Sequence, residues 1–168
     1  MNTQEIDYVL SNDSFSHMYA GVFPIDLLPD ILKPHQVYIV NLDTSEQEGS
    51  HWVCLQTFDA PETITYFDSF GTAPPLEMIP KLLSNVKNIV YSDIAVQSIL
   101  SQYCGYHCLM VALLMERKFS LKDILINCYR AEEEQYLRND CLAALVIHSI
   151  ATLKERALID WSHFFYEK

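Results

Sequence analysis

An almost wholly apolar run is the feature of this chain that most restricts its fold. It extends from Tyr106 to Met115 and directly follows the pair Cys104-Gly105. A continuous apolar run of this kind predicts a buried helix, with the cysteine in its first turn. Free backbone N–H groups and the positive end of the helix dipole favour a thiolate over a thiol at that position. The sequence therefore predicts a core helix that carries a candidate nucleophile, Cys104, at its start.

Three residues with the chemistry that a thiol nucleophile needs lie before this helix. His51 opens an apolar strand together with Trp52, Asp68 lies near the end of the next β-rich run, and Gln97 lies upstream of Cys104. A histidine supplies a base, an acid orients that base, and a side-chain amide donates to an oxyanion. The order His, Asp, Gln, Cys is the constellation of a cysteine protease.

The pattern along the chain predicts a mixed sheet flanked by helices, an α+β fold, in a single domain that covers residues 1–168. Half of the 168 residues are hydrophobic, which is enough for one core. The segment from Tyr19 to Pro29 is interpreted as loop-like, with a brief helical turn after Pro24. β-rich runs are predicted at 36–43, 51–59 and 63–70 as antiparallel strands, with another strand at 88–92. Helices are predicted at about 3–11, 75–84, 104–115, 120–128 and 140–156.

The spacing of the second and third runs permits a direct pair between His51 and Asp68. A hairpin that turns at Ala60 and Pro61 places His51 opposite Phe70. Asp68 then points to the same face of the sheet, at a diagonal distance of roughly 7 to 8 Å. A carboxylate at this distance can fix the ring tautomer and stabilise an imidazolium.

Charge and cysteine usage restrict the class of protein further. Twenty-two acidic against eleven basic side chains give a net charge of -11, which argues against general attraction to nucleic acid or anionic lipid. Five cysteines, most of them in apolar runs, fit a reducing compartment. The first residues show neither a basic segment nor an apolar core, so no secretory signal is expected. The uncharged stretch at 94–115 carries polar side chains in its first half, and no membrane span is expected.

These motifs, in this order and spacing, resemble those of the adenovirus-type maturation proteases. They also resemble those of the ubiquitin-like-protein (SUMO) proteases, and they look most similar to the enzymes of virophages and Polinton-like elements. The resemblance covers about residues 22–114. It rests on His51-Trp52, on Phe67-Asp68-Ser69-Phe70-Gly71, on Gln97 before Cys104-Gly105, and on Gly21-Val22-Phe23-Pro24 before the first β-rich run.

The resemblance implies a papain-like fold with permuted segments, because papain-type enzymes have the cysteine before the histidine in the chain. It also implies roles for single residues. Cys104 would be the nucleophile, His51 the base and then the acid, and Asp68 the group that orients His51. The Gln97 side-chain amide and the Cys104 backbone N–H would form the oxyanion hole.

The function that the resemblance implies is a cysteine endopeptidase that cleaves after Gly-Gly or Gly-X, since related enzymes thread a narrow tunnel. A viral or transposon origin would make capsid precursors the substrates and the virion or host cytoplasm the location. The alternatives are an isopeptidase that acts on ubiquitin or a ubiquitin-like protein, and an inactive protease-like interaction module. No cofactor is expected. The activating peptide and DNA of adenoviral enzymes are not carried over, because the chain is acidic and no equivalent partner cysteine is identified.

Three further residues are candidates for contact with the substrate or the oxyanion. Trp52 either covers the imidazole or lines the cleft, or it is simply a strand aromatic. Gly105, directly after the nucleophile, is expected to contact substrate. Gln102 competes with Gln97 for the oxyanion role, but it lies only two residues before Cys104, so its side chain turns back less easily.

Three further residues are alternatives for a role in catalysis or metal binding. Cys108 lies one helical turn after Cys104 and is predicted to be core, with the nucleophilic role as its second interpretation. Asp93 is a weaker alternative to Asp68. Cys104, His107 and Cys108 fall on one helical face, but no second Cys/His cluster supplies a fourth ligand, so a zinc site is rejected. His107 is instead predicted to be a hydrogen-bonded core residue.

Overall fold

The computed structural model describes residues 1–13, 16–57 and 62–152. Within these ranges five strands form one sheet in the order β1 to β5. The outer pairs β1–β2 and β4–β5 are parallel, and the inner pairs β2–β3 and β3–β4 are antiparallel. The mixed sheet is therefore confirmed. The strands are β1 (Tyr19–Pro24), β2 (Val37–Asn41), β3 (Trp52–Thr57), β4 (Thr63–Phe67) and β5 (Asn88–Tyr91).

One buried helix, α3, lies at the centre of the helical layer. It packs against β3 and α5 and also contacts α1 and α4. Apart from Tyr106, every residue of α3 is buried, as the apolar run predicts. In the part of the chain that the structure describes, no helix is both long and apolar enough to cross a bilayer. The helices are α1 (Thr3–Ser11), α2 (Ile79–Leu82), α3 (Cys104–Glu116), α4 (Leu121–Asn127) and α5 (Tyr136–Thr152).

Both faces of the central strands are covered. Along β2, Val37 and Ile39 join the core around α3, whereas Tyr38 and Val40 join a second core on the other face. Every residue of β2 and β3 is buried, the pattern of strands that are packed on both sides. The ends of β3 and β4 therefore extend from a closely packed base.

The hairpin register is confirmed. Cys54 pairs with Phe67, and Leu55 pairs with Tyr66. Continued to the start of β3, this register sets His51 opposite Phe70, and the two rings stack with centroids 4.3 Å apart and planes 15° from parallel. The predicted turn at 60–61 lies outside the described residues, as does the predicted end of the last helix at 153–156.

Two segments differ from the sequence prediction. Residues 19–24, interpreted as loop-like, form strand β1 beside β2. The strand lacks an alternating pattern because all of its residues are half-buried, and Gly21 bends it with a φ of 137°. A short helical turn does follow Pro24. Helix α2 is shorter than predicted, because a proline within its first two positions prevents an extra turn before it.

Glu116 at the end of α3 is a buried acid whose carboxylate oxygens have no hydrogen-bond partner among the described residues. Burial, together with the neighbouring Asp13 carboxylate, raises the pKa of Glu116 to about 8, against the opposing effect of Arg117. An unpartnered carboxylate in a core is stable only in its neutral form. Glu116 is therefore protonated at neutral pH.

We expect Glu116→Gln to flatten the dependence of stability on pH. The pKa of Glu116 is higher in the folded than in the unfolded protein. At any pH between these two pKa values, the folded protein therefore holds one more proton than the unfolded chain. The parent therefore loses up to about 1.4 kcal/mol of unfolding free energy per pH unit as pH rises from about 4.5 to about 8. Urea titrations across this window measure the effect. The exposed acid Glu77, changed to Gln, is the control, and equal slopes for the parent and Glu116→Gln would contradict the assignment.

Candidate active site

Strand and helix ends bring three polar residues to one edge of the sheet. His51 directly precedes β3, Asp68 directly follows β4, and Cys104 is the first residue of α3. Because β3 and β4 are antiparallel, the start of one lies beside the end of the other. Helix α3 packs on β3 and so carries Cys104 to the same edge. All three residues are buried.

The Asp68 carboxylate holds the His51 ring from one side. His51 Nε2 lies 2.7 Å from Asp68 Oδ1, and a carboxylate partner requires the ring hydrogen on that nitrogen. Asp68 also accepts hydrogen bonds from the backbone N–H of Phe70, at 2.8 Å, and from the Thr72 hydroxyl. Burial would raise the pKa of Asp68, but the His51 and Thr72 contacts lower it below its ordinary value. Asp68 is therefore a fixed, ionised carboxylate.

The second ring nitrogen of His51 is available to Cys104. Nδ1 has no hydrogen-bond partner within the described residues, and the Cys104 thiol is, besides Asp68, the group whose interaction with the ring favours its charged form. Burial alone would lower the pKa of His51. The contacts with Asp68 and Cys104 outweigh it and raise the pKa of His51 to about 9, so the ring is cationic at neutral pH.

The same interactions favour a thiolate at Cys104. Burial would raise the pKa of the thiol, but the interaction with His51 and the backbone N–H groups of Trp52 and Gly105 lower it below its ordinary value. A lowered cysteine pKa beside a cationic histidine is the condition for a nucleophilic thiol. The arrangement can therefore hold a thiolate–imidazolium pair.

His107 and Cys108, the two residues of α3 that share a helical face with Cys104, are hydrogen-bonded within the core. Cys108 is fully buried, its thiol donates to the Trp52 carbonyl at 3.1 Å, and burial raises its pKa well above the ordinary value. His107 bonds Tyr129 Oη at 3.0 Å and Asp140 Oδ1 at 2.8 Å. Both residues are core residues, as the sequence predicts. The described ranges contain no cluster of three or more His, Cys, Asp or Glu side chains able to hold a metal ion.

A groove built from two adjoining cavities runs past Cys104. The cavity at the thiol has a volume of about 300 Å³, and its neighbour one of about 320 Å³. They share Met1, Gly49 and Trp52. The Trp52 indole N–H donates to the Met1 carbonyl at 3.3 Å, which fixes the indole where the cavities meet. The cavity at the thiol is lined by Met1, Gly49, Ser50, Trp52, Phe70, Ser101, Gln102 and Cys104.

Gly105, which is expected from the sequence to contact substrate, lines neither cavity and lies buried behind Met1 and Trp52. A β-carbon at this position would lie 3.1 Å from the Met1 Cβ and 3.4 Å from the Trp52 ring. A glycine therefore lets both side chains approach the start of α3. Any larger residue would push the groove wall outward.

The structure places Gln97 behind the groove rather than in its lining. The side chain is buried, its carbonyl oxygen accepts from the Ser69 hydroxyl at 2.7 Å, and its amide donates to the Ser101 carbonyl at 2.9 Å and the Ser101 hydroxyl at 3.2 Å. Gln102, by contrast, lines the cavity. Asp93, the alternative acid, is exposed.

The segment that carries Gln97 is tied to the end of β4. The Ser69 carbonyl accepts from the backbone N–H groups of Val96, at 2.9 Å, and Gln97, at 3.1 Å. Gly71 has a φ of 70°, and a β-carbon there would lie 2.7 Å from the Ala95 backbone nitrogen. Only glycine allows both the conformation and the close approach. The Asp68 and Gln97 segments are therefore fixed relative to each other.

Sequence reasoning missed residues that support the site, among them Met1, Thr72, Ser101 and Asp140. Thr72 and Ser101 are common polar residues in irregular segments, where no spacing rule singles them out. Met1 and Asp140 lie far in sequence from His51 and Cys104 respectively, and they meet the site only through the packing of α1 and α5. For none of the four does the sequence carry a local signal.

We expect Asp68→Asn to lower the pKa of His51 and thereby to slow alkylation of Cys104. Loss of the negative charge destabilises the imidazolium, and the thiolate loses its counter-ion. Alkylation by iodoacetamide at pH 7 should slow roughly tenfold, because each unit of cysteine pKa changes the thiolate fraction by that factor. Asp93→Asn is the matched control and should react like the parent. An unchanged rate in Asp68→Asn would show that this acid does not act on the pair.

No protein-family model matches this chain, and no curated protein matches it significantly. Among solved structures, the crystal structure of the ASFV pS273R protease matches with a TM-score of 0.55 and 18% identity over 84% of this chain and 66% of that chain. The selenomethionine form of that protease matches with a TM-score of 0.37 and 26% identity over 63% and 43% of the two chains. This chain thus spans slightly less than two thirds of the first matched chain. The similarity to the first of these structures shows that this chain has a mixed α+β fold similar to that of a protease.

Proposed function

We propose that this protein is a cysteine endopeptidase with Cys104 as its nucleophile. The observation that carries the proposal is the buried His51–Asp68 pair beside a thiol whose pKa is lowered, at the wall of a groove. The likeness in fold to the ASFV pS273R protease supports a viral protease. A protease acts on polypeptides, and a groove of two joined cavities suits an extended chain.

The proposed reaction uses each residue of the pair in turn. The Cys104 thiolate attacks a peptide carbonyl carbon, and a tetrahedral oxyanion forms. The His51 imidazolium gives its proton to the leaving amine, so that the C–N bond breaks and a thioester to Cys104 remains. His51 then takes a proton from water while the water oxygen attacks the thioester carbonyl carbon. The C–S bond breaks, the carboxylic acid product leaves, and the Cys104 thiolate and the His51 imidazolium are regenerated. Asp68 orients the ring through both steps.

The oxyanion would be stabilised at the start of α3. As the first residue of the helix, Cys104 has a backbone N–H that lies outside the intrahelical hydrogen bonds. We assign the second donor to the Gln97 side-chain amide, which would keep its contact with the Ser101 hydroxyl and exchange its contact with the Ser101 carbonyl for the oxyanion. Gln102 is the alternative donor because it lines the cavity.

We further propose that the enzyme cleaves after Gly-Gly or Gly-X sequences in capsid precursors. The resemblance to maturation proteases supports this preference for glycine. The Trp52 indole, which Met1 holds where the two cavities meet, supplies one wall of the groove. The chain order of His51, Asp68 and Cys104 fits a papain-like fold with permuted segments. Membership of the virophage and Polinton-like branch and a place in the virion or host cytoplasm belong to the same proposal.

An isopeptidase that removes ubiquitin or a ubiquitin-like protein is the second candidate. The likeness in motifs applies equally to that class, and the chemistry is the same. It would require a broad surface for a folded modifier. A modifier with a C-terminal electrophile that labels Cys104 would favour this candidate over the capsid protease. A third possibility, an inactive interaction module, is disfavoured by the lowered pKa of Cys104.

Cys104→Ala should abolish hydrolysis of a fluorogenic peptide that ends in Leu-Arg-Gly-Gly. Removal of the nucleophile should reduce kcat at least about a thousandfold, as for other nucleophile deletions. Release of the fluorophore by the reduced protein measures the effect.

The control is Cys141→Ala, which removes an exposed cysteine of α5 and should leave the rate unchanged. Turnover that survives in Cys104→Ala would contradict the assignment. If the parent shows no turnover on the glycine peptide but cleaves a capsid precursor, the nucleophile stands and the proposed sequence preference fails.

A further inference from the structure

A chain of hydrogen bonds links the Gln97 segment to helix α5. The Gln97 amide donates to the Ser101 carbonyl, and the Ser101 hydroxyl donates to Asp140 Oδ2 at 2.7 Å. The other oxygen of Asp140 lies 2.8 Å from His107 Nε2. Both carboxylate oxygens of Asp140 therefore accept from groups that flank Cys104 in the chain.

The residue before Asp140 holds the other end of the same segment. Asn139 is fully buried, and its amide donates to the Val96 carbonyl at 2.9 Å and to the Arg130 carbonyl at 2.7 Å. Its side-chain oxygen accepts from the Arg130 backbone N–H at 3.1 Å. Adjacent residues of α5 thus fix both ends of residues 96–101, the segment that carries Gln97 and leads to the nucleophile.

The chemistry of each side chain fits its place closely. Asp140 faces two donors, a hydroxyl and a ring N–H, and only a carboxylate accepts from both. Asn139 faces two carbonyl oxygens, and only an amide donates to both while also accepting. Burial of such polar groups is unfavourable unless each is paired, and here each has its partners. Neither residue lines the cavity at the thiol.

We propose that Asn139 and Asp140 are positioning residues that hold the 96–101 segment so that the Gln97 amide is within reach of the oxyanion at Cys104. The inference rests on the proposed function, because it assigns a purpose to the oxyanion donors of that reaction. Asp140 acts through Ser101, and Asn139 acts through the Val96 carbonyl. Their effect falls on acyl transfer and not on the thiolate itself, whose partners are His51 and backbone N–H groups.

Two reactions of Cys104 separate these effects. Acylation by a p-nitrophenyl ester of acetyl-Gly-Gly passes through a tetrahedral oxyanion, whereas alkylation by iodoacetamide displaces iodide without one. Asp140→Asn replaces one of the two accepting oxygens with an NH2 group, which cannot accept from the Ser101 hydroxyl or the His107 ring N–H. We therefore expect the ratio of the acylation rate to the alkylation rate to fall about 10- to 100-fold. Ser101→Ala should act in the same direction, and Ser101→Thr, which keeps the hydroxyl, should restore the ratio. The pH profile of alkylation should stay that of the parent.

Ser98→Ala is the matched control, because it removes a serine hydroxyl from the same segment but outside this chain of bonds. A ratio within twofold of the parent in both Asp140→Asn and Ser101→Ala would overturn the proposal. So would a parallel fall of both rates together with Tm, which is the result of a merely structural role. A parent that is acylated no faster than a free thiol also overturns it. A parent that acylates rapidly but cleaves no peptide leaves the positioning role intact and refutes the endopeptidase.

Discussion

The burial of α3 between β3 and α5 is the constraint on which the site depends. The helix is apolar on all sides, so it can lie only where the sheet and the other helices cover it. Its first residue, Cys104, then meets the edge of the sheet where β3 begins and β4 ends. A helix that slid by one turn would bring Cys108 to that edge, and Cys108 instead donates to a backbone carbonyl in the core. The packing of α3 in the core therefore also fixes the position of Cys104 along the edge of the sheet.

Buried charge at this edge is tolerated because its polar groups are paired. Asp68 is bonded to His51, a backbone N–H and the Thr72 hydroxyl, and Asp140 is bonded to Ser101 and His107. For Asp68, this pairing holds the pKa below its ordinary value although burial acts to raise it. The contrast is Glu116, which lacks such partners among the described residues and holds its proton instead. Burial acts to raise the pKa of both Asp68 and Glu116, and within the described ranges only Asp68 has hydrogen-bond donors that reverse the effect.

The sequence predicts those parts of the molecule that depend on local pattern. The apolar run predicts α3, and strand spacing predicts the hairpin register that sets His51 opposite Phe70. Strand β1 is not predicted, because Gly21 and Pro24 are typical of loops and the residues of β1 show no alternating burial pattern; the strand forms by parallel pairing with β2. The Asp140 contacts are equally invisible in the sequence, since they arise from the way α5 packs on α3. Local periodicity carries no information on such long-range contacts.

The central claim is that Cys104 and His51 form a thiolate–imidazolium pair at neutral pH. Ultraviolet absorbance of the thiolate, titrated against pH as the difference between the parent and Cys104→Ala, measures it directly. The account predicts a thiolate that forms well below the ordinary cysteine pKa of about 8.5, with Asp68→Asn moving that step upward. A single step at or above 8.5 in the parent would contradict the pair and, with it, the assignment of Cys104 as an activated nucleophile.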